Sequence, residues 1–176
     1  MPEAEDIVRL YPKGSKVVPE KSATVAYLQR TADGYNVLHV AAHAKFNPRE
    51  PLLSYIVLQP GEADDGKWSA AEMFALPFSQ AKLVTLSACE TGRVSGTHAS
   101  EVIGMQRALI YAGANAVLLT HWKVDSQATL AWMKTFYREA ARSSCTEAAR
   151  RATAALRARP EYAHPYYWSA FYLVGR

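Results

Sequence analysis

Short unbroken apolar runs alternate along this chain with longer stretches whose apolar residues recur at helical spacing. Val37-Leu38-His39-Val40-Ala41-Ala42, Leu83-Val84-Thr85-Leu86-Ser87-Ala88 and Ala116-Val117-Leu118-Leu119-Thr120 predict buried strands, and Trp168 to Val174 predicts a fourth. Runs without alternation are what parallel strands covered on both faces require. Between them, Val102, Met105 and Leu109 mark one face of a helix over residues 99–112, with Gly113 as its stop. Leu130, Met133, Tyr137 and Ala140 form the stripe of a second helix over 126–142, with Asp125 or Ser126 as N-cap. Further helices are predicted over 146–159 (ending before Pro160), over 69–76 and over 23–31. Tyr55-Ile56-Val57-Leu58, followed by Pro60-Gly61 and Asp65-Gly66, predicts part of a β-hairpin projecting from the sheet. The pattern is that of an α/β protein with a mostly parallel central sheet flanked by helices. No repeat, low-complexity tract or linker interrupts it, and residues 1–176 read as one domain.

Composition narrows the classes. The chain has 176 residues, 49% of them apolar and 20% charged, as in ordinary folded proteins. No run approaches the ~20 apolar residues of a membrane span, and no membrane partner is expected. The acidic start, Met1-Pro2-Glu3-Ala4-Glu5-Asp6, is unlike a signal peptide, so a cytoplasmic location is the default expectation. The formal charge of +4 is mild. Arg138, Arg142, Arg150, Arg151, Arg157 and Arg159 concentrate in an alanine-rich helical region, where a solvated helix face accounts for them. No aromatic-basic interleaving accompanies them, so direct nucleic-acid contact is not expected. Trp68, Trp122, Trp132 and Trp168 read as core or rim aromatics, with Trp122 standing at the end of the third strand.

Two cysteines cannot build a disulfide framework. Cys145, in Ser143-Ser144-Cys145-Thr146 between two helices, is expected to be inert. Cys89 directly follows a strand, and His43 directly follows another. In open α/β sheets, ligands sit beyond the carboxyl ends of the strands. Neighbouring strands lie ~4.8 Å apart, so side chains past adjacent strand ends can meet across one substrate. A thiol with a pKa near 8.5 attacks a carbonyl well only when a base stands by, and an imidazole near 6.5 also protonates a leaving amine. Cysteine and histidine at two converging strand ends therefore suit acyl transfer. The spacing alone leaves another account open: Cys89 as a small buried hydrophobe and His43 as a core or capping residue. His39 lies within its strand and reads as structural, and His98, His121 and His164 carry no signal of their own.

Leu38-His39-Val40-Ala41-Ala42-His43 and Leu86-Ser87-Ala88-Cys89-Glu90-Thr91-Gly92 resemble the paired signature of the CHAT-domain cysteine peptidases, bacterial and other relatives of caspases and separases. The resemblance continues in order through Gly104, Ala108, Ala112-Gly113-Ala114, Trp122-Lys123-Val124-Asp125, Phe136-Tyr137 and His164-Pro165-Tyr166-Tyr167-Trp168-Ser169-Ala170-Phe171, covering about residues 20–175. It implies a caspase-like sandwich and a cysteine-type endopeptidase that cleaves protein or peptide substrates through an acyl-enzyme, without cofactor or metal. Cys89 carries over as nucleophile and His43 as general acid/base, with the backbone N–H groups of Ala44 and Cys89 facing the oxyanion. Ser54 matches a family serine of structural or substrate-strand role, and Trp122, Asp125 and Ser126 fall at the substrate pocket.

The chain departs from the pattern in three places. Ala44 stands where relatives have glycine after the catalytic histidine, which bears on the oxyanion geometry. Ser126 stands where relatives have an aspartate, with Asp125 one residue earlier; an acidic pocket floor would select substrates with Arg or Lys before the cleaved bond. The family's N-terminal strand is absent before Glu3 to Tyr11, which implies the C-terminal catalytic portion of a larger protein with an upstream regulatory domain or activating partner. The alternative is a non-catalytic CHAT-like interaction or regulatory module of a larger signalling or defence protein. A small-molecule hydrolase fits less well, since Glu90-Thr91-Gly92 after Cys89 makes no nucleophile elbow. No Gly-rich phosphate loop follows any strand, and Gly92-Arg93-Val94-Ser95-Gly96 reads as an active-site loop.

Overall fold

The computed structural model describes residues 2–47, 49–62, 64–88 and 99–175. Its strands are β1 (Val37–Lys45), β2 (Tyr55–Val57), β3 (Lys67–Ser69), β4 (Leu83–Ala88), β5 (Ala116–Thr120) and β6 (Phe171–Gly175). Its α-helices are α1 (Pro2–Leu10), α2 (Val25–Thr31), α3 (Ala70–Ala75), α4 (Ala99–Tyr111), α5 (Ser126–Ala140), α6 (Cys145–Arg157) and α7 (Pro165–Trp168). The strands form one sheet in the order β3-β2-β1-β4-β5-β6. Among the described residues, no helix is long and apolar enough to cross a membrane.

The sheet is mixed, and this corrects the expectation of a mostly parallel one. Only β1–β4 and β4–β5 are parallel, while β1–β2, β2–β3 and β5–β6 are antiparallel. The cause lies in the connections. Between β5 and β6 the chain makes two long helices, α5 and α6, packed on each other. Two such passes return the chain to the end of the sheet where β5 finished, so β6 must run back down. At the other side the hairpin does not project: β2 pairs with β1 and extends the sheet.

Helices cover both faces. On one, Val25 and Leu28 of α2, Met73 of α3 and Met105 and Leu109 of α4 pack with Val40, Leu86, Val117 and Leu119. The side chain of Val102, assigned to the same stripe, lies outside the described ones. On the other face, Ile7 of α1, Trp132, Met133, Phe136 and Tyr137 of α5 and Ala148, Ala152 and Leu156 of α6 pack with Leu83, Ala116 and Leu118. β4 and β5 are buried on both faces, which is why their apolar runs are unbroken.

Local signals set the helix bounds. Ser69 and Glu72 form a capping box at α3, and Ser144 caps α6 through the Glu147 N–H. Gly113 takes φ +110° after α4, and a Cβ there would meet the backbone of Phe78 at 3.3 Å. The strand expected from Trp168 begins later, at Phe171. Proline at the first position and His164 as N-cap make Pro165–Trp168 a helical turn instead.

The first described element is the helix α1. The edge of Val37–Ala42 away from β4 pairs with no strand among the described residues. Beneath α1, His39 is a structural residue as read. Its Nδ1 lies 2.9 Å from the Tyr137 hydroxyl and its Nε2 3.2 Å from Oε1 of Glu3. Tyr137 donates to Thr85 Oγ1 at 2.7 Å, and full burial raises the pKa of its phenol. A hydrogen-bonded chain thus joins β1, α5 and β4 inside an apolar layer, where an unpaired hydroxyl would be costly.

Candidate active site

The parallel pairing of β1 with β4 ends with Ala42 opposite Ala88. Val84 stands opposite Val117 and Thr85 opposite Leu118, and this offset, carried on past the paired residues, would bring Ala88 to the level of His121. The next residues along the three chains are His43, Cys89 and Trp122. Residues directly opposite in parallel strands share a face. His43 has the parity of Val37 and His39, on the α5 face, and Trp122 packs against the cluster on that same face. Cys89 lies outside the described residues, as do the loop from Gly92 to Gly96 and His98.

His43 is not past the end of its strand, as the sequence led us to expect. It lies within β1, where the strand outruns β4, and pairs with Val57 of β2. The hairpin supplies the backbone partners that the extension needs, and the His43 side chain stays exposed to solvent. Ala44 follows opposite Ile56 with its methyl buried. No non-glycine residue described has positive φ, so alanine fits this strand position without strain and the exchange for glycine distorts nothing locally.

Ser54 sits deeper than a substrate contact would. It is fully buried, its Oγ accepts from the Asn47 N–H at 2.9 Å, and its carbonyl accepts from the Ala70 N–H at 2.8 Å. These contacts close the loop after β1 and hold it to α3. Gly104 explains how α4 comes so near this loop: a Cβ there would lie 3.2 Å from the Pro51 carbonyl oxygen.

Beyond β5, aromatic rings form a wall that the sequence reading largely missed. His121 stacks on Tyr172 with centroids 4.1 Å apart, and Trp122 stacks on Tyr166 at 6.2 Å. The Trp122 indole N–H donates to the Tyr166 carbonyl at 3.0 Å, and the Tyr166 hydroxyl donates to the Lys123 carbonyl. Partial burial lowers the pKa of His121 and raises that of Tyr172, so both rings are held neutral near pH 7. The signal in the sequence was His164-Pro165-Tyr166, an N-cap and first-position proline that open a helical turn carrying Tyr166 back over Trp122.

Asp125 and Ser126 sit at the start of α5, both exposed. Asp125 Oδ1 accepts from the N–H groups of Gln127 and Ala128 at 2.9 and 3.0 Å, an N-cap. Asp125→Ala should lower stability by about 1 kcal/mol, whereas Asp125→Asn should stay within a few tenths. Thermal unfolding checks this, and equal losses for the two variants would deny the cap its role. Cys145 opens α6 half-buried, and burial raises its thiol pKa, in keeping with an inert side chain. Among the described residues, no group of three or more His, Cys, Asp and Glu side chains is placed to hold a metal ion.

No curated protein matches the chain. The family described as CHAT domain matches residues 1–176. With that match over its whole length, the chain belongs to the CHAT domain family, a family of caspase-like cysteine peptidases.

Proposed function

We propose that this chain is a cysteine-type endopeptidase. Cys89 attacks the scissile carbonyl, and His43 takes the thiol proton and delivers it to the leaving amine. Water then releases the acyl group from Cys89, with His43 as its base. The observation that carries the proposal is that Ala42 and Ala88 stand opposite each other at the end of the parallel β1–β4 pairing, with His43 and Cys89 next in sequence. The N–H groups of Ala44 and Cys89 are the proposed oxyanion donors. The Trp122–Tyr166 wall is the proposed flank of the substrate cleft, together with the start of α5 at Asp125 and Ser126.

A panel of peptidyl electrophiles differing in the residue before the reactive group tests this by intact mass. Labelling that depends on that residue and vanishes in Cys89→Ala is the expected result. A preference for Arg or Lys would add a pocket role for Asp125 to its cap. A folded wild-type chain that no member labels would turn the assignment to the alternative, a non-catalytic interaction module.

A further inference from the structure

On the solvent side of α6, one stripe of the helix and the flank of α7 enclose an open cavity of about 490 Å³. Arg150, Thr153, Ala154, Arg157, Ala158 and Trp168 line it. The sequence assigned these arginines to a plain solvated face. The floor is apolar, because Ala154 and Ala158 end at Cβ and expose the helix surface beside a half-buried indole. That indole is held in place: its N–H donates to the Ala163 carbonyl at 3.1 Å. The Arg157 guanidinium lies 5.4 Å over its ring.

The charges of this region do not cancel. Residues 142–159 hold Arg142, Arg150, Arg151, Arg157 and Arg159 against one carboxylate, Glu147. Glu147 receives both Arg150 and Arg151, and Glu139 receives Arg151. Arg157 has no carboxylate partner among the described residues. Its contact with the Trp168 ring leaves Arg157 exposed to solvent. It also stands in the last turn of α6, where its charge offsets the helix-end carbonyls that would otherwise repel an anion.

We propose that this groove binds an acidic peptide segment, with an apolar side chain on Ala154, Ala158 and Trp168 and a neighbouring carboxylate on Arg157. The site is independent of Cys89 and His43, so its success or failure leaves the peptidase assignment untouched.

The probe is a fluorescein-labelled peptide in which single serines separate alternating glutamates and leucines, so that both share one face of the extended chain, titrated against the whole protein by fluorescence polarisation. Saturable binding is expected, at least tenfold weaker when glutamine replaces glutamate and weaker again as salt rises. Arg157→Glu removes the outward cation, and Ala154→Phe fills the floor from an exposed position. Each should weaken binding tenfold or more while leaving the thermal unfolding midpoint unchanged. Equal affinity in wild type and both variants would overturn the proposal. So would tighter binding of a labelled single-stranded oligonucleotide that the same two variants abolish.

Discussion

His43→Ala should slow cleavage of a peptide amide at neutral pH by about 10²–10⁴-fold, the range expected for loss of a positioned general acid–base. The defect should depend on the leaving group. An amine departs poorly unless protonated, so the proposed mechanism requires His43 as an acid as well as a base in amide cleavage. A thiol keeps a few per cent of thiolate at pH 7 without help, and an activated ester needs no acid at all. Comparing wild type with His43→Ala on matched amide and activated-ester substrates should therefore show the larger loss on the amide. Raising the pH toward the ordinary thiol range should recover part of the ester rate in the variant, as Cys89 ionises unaided. Equal losses on both substrates, with no recovery at higher pH, would deny His43 the acid role and recast it as a strand residue.

The sequence carried this site unevenly, for physical reasons. Strands buried on both faces announce themselves, and Leu83–Ala88 and Ala116–Thr120 were legible residue for residue. β1 was not, because its last three residues owe their pairing to a hairpin twelve or so residues downstream rather than to any local pattern. The direction of β6 was equally hidden: it follows from the number of helical passes between it and β5, a property of packing and not of β6 itself. Ser54 shows the limit in a side chain. A serine near a strand end reads alike whether it faces a substrate or closes a loop, and its contact with the distant backbone of Asn47 has no local signature in the sequence. Asp125 could be read as a cap or as a pocket acid, and the first is what its hydrogen bonds make it.

Trp132→Ala should be the most destabilising single truncation on the α5 side, lowering stability by about 3–5 kcal/mol. Trp132 is almost fully buried and stacks between neighbours, with centroids 5.1 Å from Phe136 and 4.2 Å from Phe171. Its indole N–H donates to Thr153 Oγ1 at 3.1 Å. One side chain therefore ties α5 to α6 and to β6. Domains of this kind hold about 5–15 kcal/mol in all, so the variant stands near the threshold of folding. Trp132→Phe separates the contributions. It keeps most of the stacked area and loses only the hydrogen bond, and the half-exposed Thr153 can turn its hydroxyl to water, so a loss of about 1–2 kcal/mol is expected. Denaturant titration of both variants measures the difference. A Trp132→Ala loss below about 1 kcal/mol would mean that α5 and β6 are held by other contacts. With the expected loss, β6 is the first strand to lose its anchor. Its release uncovers the β5 edge, so Trp132→Ala should also aggregate at concentrations where the wild type does not.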